Sequence, residues 1–102
     1  MEIKIEIVRP VNPTGVSFIK YVYGAVAGRN RKVIDSYKKE FTKLVTKLGY
    51  KIEEAIGSGK MITGVVVLEI DDSARPIRMY TGSLKVWEPI RDVNEVIEVK
   101  NE

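Results

Sequence analysis

Isoleucine and valine together occupy 26 of the 102 positions, against four leucines. Branching at Cβ restricts χ1 and suits a pleated surface better than a helix, so this ratio predicts a chain rich in strand with few helices. A single domain is expected over 1–102, because 44% apolar and 30% charged residues is the composition of a soluble globular chain. A chain of this length buries roughly two thirds of its unfolded surface, enough for a core of its own.

Along the chain, Ile3, Ile5 and Ile7 alternate with Lys4, Glu6 and Val8, the period of two of a half-buried strand over 2–9. Pro10, Asn12, Pro13 and Gly15 break that pattern with turn chemistry. A second strand is predicted over 16–24, with Phe18 and Val22 on one face and Ile19, Tyr21 and Tyr23 on the other. Between Asn30 and Leu48 the apolar residues Val33, Ile34, Tyr37, Phe41, Leu44, Val45 and Leu48 follow the three-four spacing of an amphipathic helix. Asn30 is its expected N-cap and Gly49 its left-handed stop. Strands are predicted over 50–56 and 61–70, joined by a hairpin turn at Gly57, Ser58 and Gly59. Val65, Val66 and Val67 in succession mark a central strand covered on both faces. After a turn at 71–74, strands over 76–80 and 84–87 are split by Thr81, Gly82 and Ser83. Residues 88–100 support two readings: a short helix from Pro89 with Ile90, Val93 and Ile97, or a strand through Ile97 and Val99. The expected fold is α+β, an antiparallel sheet packed on one long amphipathic helix.

An internal duplication is a further expectation. Ile19 to Gly24 and Ile77 to Gly82 share an isoleucine, a following basic residue and a closing glycine. Each follows a strand that ends in a carboxylate and an isoleucine, at 6–7 and 69–70. Halves 1–50 and 51–102 then become two copies of a β-β-α motif with a groove along their seam, and unrelated hairpins are the plain alternative. Grooves and free strand edges are common peptide-binding surfaces.

The charges are unevenly placed. Residues 1–50 carry ten Lys or Arg against four Asp or Glu, whereas 51–102 carry seven against ten, so the overall +3 hides a dipole. The basic half suits nucleic acid, an acidic partner protein, or the acidic half of a second copy. Cysteine, histidine and glutamine are absent. This removes thiolate nucleophiles, thiolate or imidazole zinc sites and any Ser-His-Asp relay, and the reading is non-enzymatic. Gly57-Ser58-Gly59-Lys60 resembles the end of a phosphate-binding loop, but Glu54 stands where that loop needs its first glycine and Met61 where it needs a hydroxyl. The paired carboxylates Asp71 with Asp72 and Glu53 with Glu54 lie outside any calcium-loop spacing, so no cofactor and no metal is expected.

Two sets of binding residues emerge. For a protein or peptide partner they are Tyr21 and Tyr23, sharing one strand face, with Tyr80 and Trp87, the sole tryptophan and a natural anchor. For nucleic acid they are Arg29, Arg31 and Lys32, in a small-residue loop leading into a helix N-terminus, with Lys39, Lys43 and Lys47 along the helix. A solvated charged face and core tyrosines are the plain alternatives for these residues. A homo-oligomer is compatible with either set.

The opening Met1-Glu2-Ile3-Lys4-Ile5-Glu6-Ile7 lacks the basic start and apolar stretch of a signal peptide, and the longest apolar run, 65–68, is far below a membrane span. An intracellular, soluble protein is expected. Low Asn, Gln, Cys and Met with abundant Lys, Glu, Ile and Val fits a hot environment. With this opening and its general run of Ile, Val, Lys, Glu and Tyr, the chain resembles the small orphan proteins of filamentous viruses infecting hyperthermophilic archaea. The resemblance implies a setting, the host cytoplasm, and assigns no functional residue.

Overall fold

A computed structural model describes residues 1–100. The order is β1 (Glu2–Val11), α1 (Val16–Arg29), α2 (Arg31–Ile56), β2 (Met61–Ile70) and β3 (Pro76–Trp87), with an antiparallel sheet ordered β1-β2-β3. The fold is α+β, and helix exceeds strand despite the isoleucine and valine content: 14 and 26 helical residues against strands of 10, 10 and 12.

β1 follows the period-two pattern, with Ile3, Ile5 and Ile7 buried. The segment 16–24 is helical, a correction to the strand expected there. Phe18, Val22 and Val26 recur every four residues and are fully buried, a helical stripe whose first members also fit a period of two. Gly24 to Arg29 accordingly belong to α1 and not to a loop. Asn30 alone links the helices: its N–H bonds Val26 O at 2.8 Å and its carbonyl accepts from Val33 N at 3.3 Å. It holds the N-cap position with no side-chain cap bond.

The long amphipathic helix is present, kinked at Tyr37, and two helices rather than one cover the sheet. It runs through 50–56, in place of the strand expected there, because Ile52 and Ile56 extend its apolar stripe. Gly49 is not its stop. A Cβ there would lie 2.1 Å from the Pro13 carbonyl oxygen, so glycine lets the turn after β1 press against α2. The helix ends at Gly57, whose φ of 93° favours glycine and whose N–H bonds Glu53 O at 2.8 Å. Gly57 to Gly59 therefore connect helix to strand instead of closing a hairpin.

β2 is the central strand, as expected, but the helices cover it on one face and not on both, with Ile62, Val66, Leu68 and Ile70 buried beneath them. Asp71 organises the turn into β3: its Oδ1 accepts from Ser73 N, Ser73 Oγ and Arg75 N at 2.8 to 3.0 Å. β3 is continuous through Thr81, Gly82 and Ser83: Thr81 pairs with Val66, and Gly82 and Ser83 form a bulge before the Gly64–Leu84 pairing, not a break. The halves thus read strand-helix-helix and helix end-strand-strand, and 19–24 is helix where 77–82 is strand. Among the described residues no β-β-α repeat is present. Residues 88–100 take up neither helix nor strand and are exposed throughout.

Candidate interaction surfaces

The helices cover one face of the sheet and leave the other open. On that face the register sets Lys4, Val67 and Tyr80 side by side, flanked by Glu2, Glu69 and Arg78. The Tyr80 hydroxyl donates to Glu2 Oε2, Arg78 pairs with Glu69, and the Arg78 guanidinium stands 4.9 Å from the Tyr80 ring centroid. These side chains roof Val67, which is only 4% exposed although it lies outside the main core. The Glu2 carboxylate, then partial desolvation, raise the Tyr80 pKa above the ordinary tyrosine value, and the bond to Glu69 raises that of Arg78.

Further along this face the bulges open a groove of about 680 Å³ lined by Val8, Pro10, Thr63, Val65, Lys85 and Trp87 among others. Trp87 is 50% exposed, and its Nε1–H donates to Thr63 Oγ1 at 2.8 Å. The indole is therefore held in place while much of its ring stays in water, the state of an anchor without its pocket.

Tyr21 and Tyr23 do not join Tyr80 and Trp87. They project from α1, which packs on β1, at the opposite side of the sheet from β3. Tyr21 donates to Glu6 O at 2.7 Å, and Tyr23 packs edge-on against Phe41 with ring centroids 6.2 Å apart. The two are not on one strand face either, since residues two apart on a helix diverge. Tyr23 is a core-lining residue, and Tyr21 occupies a backbone acceptor of edge strand β1.

That bond separates the two sheet edges. β1 is capped at Glu6 and carries Pro10 within its irregular pairing, both devices that blunt an edge. No side chain among the described residues hydrogen-bonds the backbone of β3, and no strand lies on its outer side. The edge residues Ile77, Val86 and Trp87 are 55%, 47% and 50% exposed.

The basic residues also divide. Arg29 ends α1, and Arg31 and Lys32 begin α2, where Arg31 meets Asp35 at 3.7 Å. Lys39, Lys43 and Lys47 form one stripe on α2, bordering a shallow basin of about 750 Å³ with Lys38, Thr42, Thr46 and Tyr50 and no acidic side chain. Tyr50, an aromatic that the sequence sets among lysines, stands three residues after Lys47 and so one helical turn beyond the stripe. Among the described residues no group of three Asp, Glu, His or Cys is placed to hold a metal, and no helix is long and apolar enough to cross a membrane. No protein family, no curated protein and no solved structure matches the chain.

Proposed function

We propose that this protein is a non-enzymatic interaction module that receives an extended segment of a partner protein along the outer edge of β3, with Trp87 and Tyr80 flanking it on the open face. The observation that carries this reading is the contrast between the edges: β1 is capped by Tyr21, while the 12 residues of β3 are bare. Backbone groups on such an edge accept an added strand, and side chains on alternate positions select its sequence. Trp87, fixed by Thr63 beside the groove, supplies the apolar anchor. The host cytoplasm of a virus-infected archaeon is the setting that the resemblance to the small orphan proteins of archaeal filamentous viruses implies.

The test is selection of peptides from a random library against the full chain, followed by titration with the fluorescence of the sole tryptophan. Selected peptides should shift Trp87 emission, and, read by the anisotropy of a labelled peptide because the variant has no tryptophan, Trp87→Ala should weaken them by about tenfold or more without changing the far-UV spectrum. Failure to select any peptide, or peptides indifferent to both Trp87→Ala and Tyr80→Ala, refutes the reading.

A second reading has one observation of its own, the acid-free stripe Lys39, Lys43 and Lys47 with Tyr50 beside it. Phosphate contacts there would release counterions, so labelled single- and double-stranded oligonucleotides should bind at low salt, release as salt rises, and lose affinity on triple charge reversal. Absence of binding at low salt removes it.

A further inference from the structure

We infer that the extended segment received by β3 is residues 90–100 of a second copy of this chain, so that two copies exchange their C-terminal segments; the inference rests on the β3-edge reading above. Ile90, Val93, Val96, Ile97 and Val99 are 68% to 95% exposed, a run of branched aliphatics that nothing in their own chain covers. The radius of gyration is 17.3 Å, against about 13 Å for a compact domain of this length. The segment stands off the body, and its composition suits a strand.

Charge selects the acceptor. β3 carries Arg78 and Lys85 and no acid, while 90–100 carries Asp92, Glu95 and Glu98 against Arg91 and Lys100. Opposite charges on neighbouring strands attract, and like charges repel. Geometry selects a second copy over the segment's own β3. Glu88 meets Lys60 at 3.7 Å, and Glu88 and Pro89 share a hollow with Pro10, Gly59 and Met61. The root of the segment is therefore turned toward β2 and β1, away from the outer edge of β3. Because that root directly follows β3, donor and acceptor lie side by side on each copy, and one two-fold axis lets both exchanges close together.

The chain has no cysteine, which permits a single-site label. The full chain should sediment at twice its 11.5 kDa mass. The double variant Ile97→Asp with Val99→Asp, both at exposed positions that the fold does not need, should sediment as the monomer with an unchanged far-UV spectrum. In a mixture, a nitroxide on a Val96→Cys copy should broaden the β3 amide resonances of an isotope-labelled wild-type copy, which has no cysteine to carry the nitroxide. A wild-type monomer at all concentrations overturns the proposal, as does a dimer that survives the double variant. Broadening on the Lys39, Lys43 and Lys47 stripe instead of β3 overturns it too, moving the acidic segment to the helix. A monomer that still binds selected peptides through Trp87 refutes the exchange and leaves the β3-edge reading standing; a monomer that binds none refutes both.

Discussion

Replacing Gly49 by alanine sets two effects of known sign against each other. In a helix interior alanine is favoured over glycine by about 1 kcal/mol. At Gly49, however, the new Cβ would sit 2.1 Å from the Pro13 carbonyl oxygen and 3.1 Å from its carbon. Turn and helix would have to separate by more than an ångström. The turn cannot swing aside freely, because Gly15 N bonds Asn12 O at 3.0 Å and Thr14 Oγ1 ties it to Glu53 of α2 at 2.9 Å. Overpacking of this kind costs about 1–3 kcal/mol, and the rigid backbone partner places Gly49→Ala at the upper end, leaving a net loss of about 2 kcal/mol after the propensity gain. Gly24→Ala is the matched control: it lies in α1, exposed, with nothing within 4 Å of its Cβ position. It should gain about 0.5–1 kcal/mol. Urea unfolding followed by far-UV circular dichroism reads both, with an unchanged slope showing that the unfolded state is unaffected. The expected midpoint shifts have opposite signs, at about 4–8 °C per kcal/mol in a thermal scan. A Gly49→Ala protein as stable as the wild type would refute the close-approach argument.

Phe41 is fully buried and packs on Tyr23, so Phe41→Ala should cost about 3–5 kcal/mol in the same unfolding assay. A loss below that of a surface change would show the core to be placed elsewhere. Tyr80 should ionise above the ordinary tyrosine range because its hydroxyl donates a hydrogen bond to the Glu2 carboxylate, which holds the phenol neutral. The folded state thus favours the neutral phenol, a contribution present below the unfolded pKa and lost as pH rises through the folded one. Ultraviolet difference titration of wild type against Tyr80→Phe should show this late component, and Glu2→Gln should bring it back toward 10.0. Asp71 is held below the ordinary carboxylate range by its bond from the Ser73 side chain and then by that from the backbone of Arg75. Its stabilising contribution is present above the unfolded pKa and lost as pH falls through the folded one. Asp71→Ala should therefore flatten the acid limb of stability below about pH 4, and an unchanged limb would count against that turn.

Local pattern carried those elements whose period was unambiguous. Three isoleucines at strict alternation fix β1, and the three-four spacing from Val33 onward fixes the body of α2. α1 was hidden because a step of four, Phe18 to Val22, is a multiple of two as well as close to one helical turn. Tyr21, Tyr23 and Ile19 then weighted the choice toward strand. Val26, completing the stripe, and Ala25 and Ala27, good helix formers, held the opposite signal. Glycine misled most where its role is tertiary: at Gly49, where it answers a contact with Pro13, and at Gly82, where it sits in a bulge. Neither role has a local signature, since each depends on what another segment brings to that point.

The surfaces were less legible than the fold, for the same reason. Whether a strand edge is free follows from strand order and from bonds such as Tyr21 to Glu6, which join residues 15 apart. Tyr21 and Trp87 look alike as exposed aromatics in a sequence, yet one closes an edge and the other waits beside an open one. The opening ratio of branched to unbranched aliphatics nevertheless retains its meaning. The helices absorb nine isoleucines and valines, from Val16 to Ile56, by placing the most apolar of them against the sheet. The sheet absorbs most of the rest. Those left over are Ile90, Val93, Val96, Ile97 and Val99, all exposed and all of the type that favours strands. A chain that encodes more strand than it forms alone, and that also carries one uncapped strand edge, holds both halves of a pairing that a single copy cannot complete.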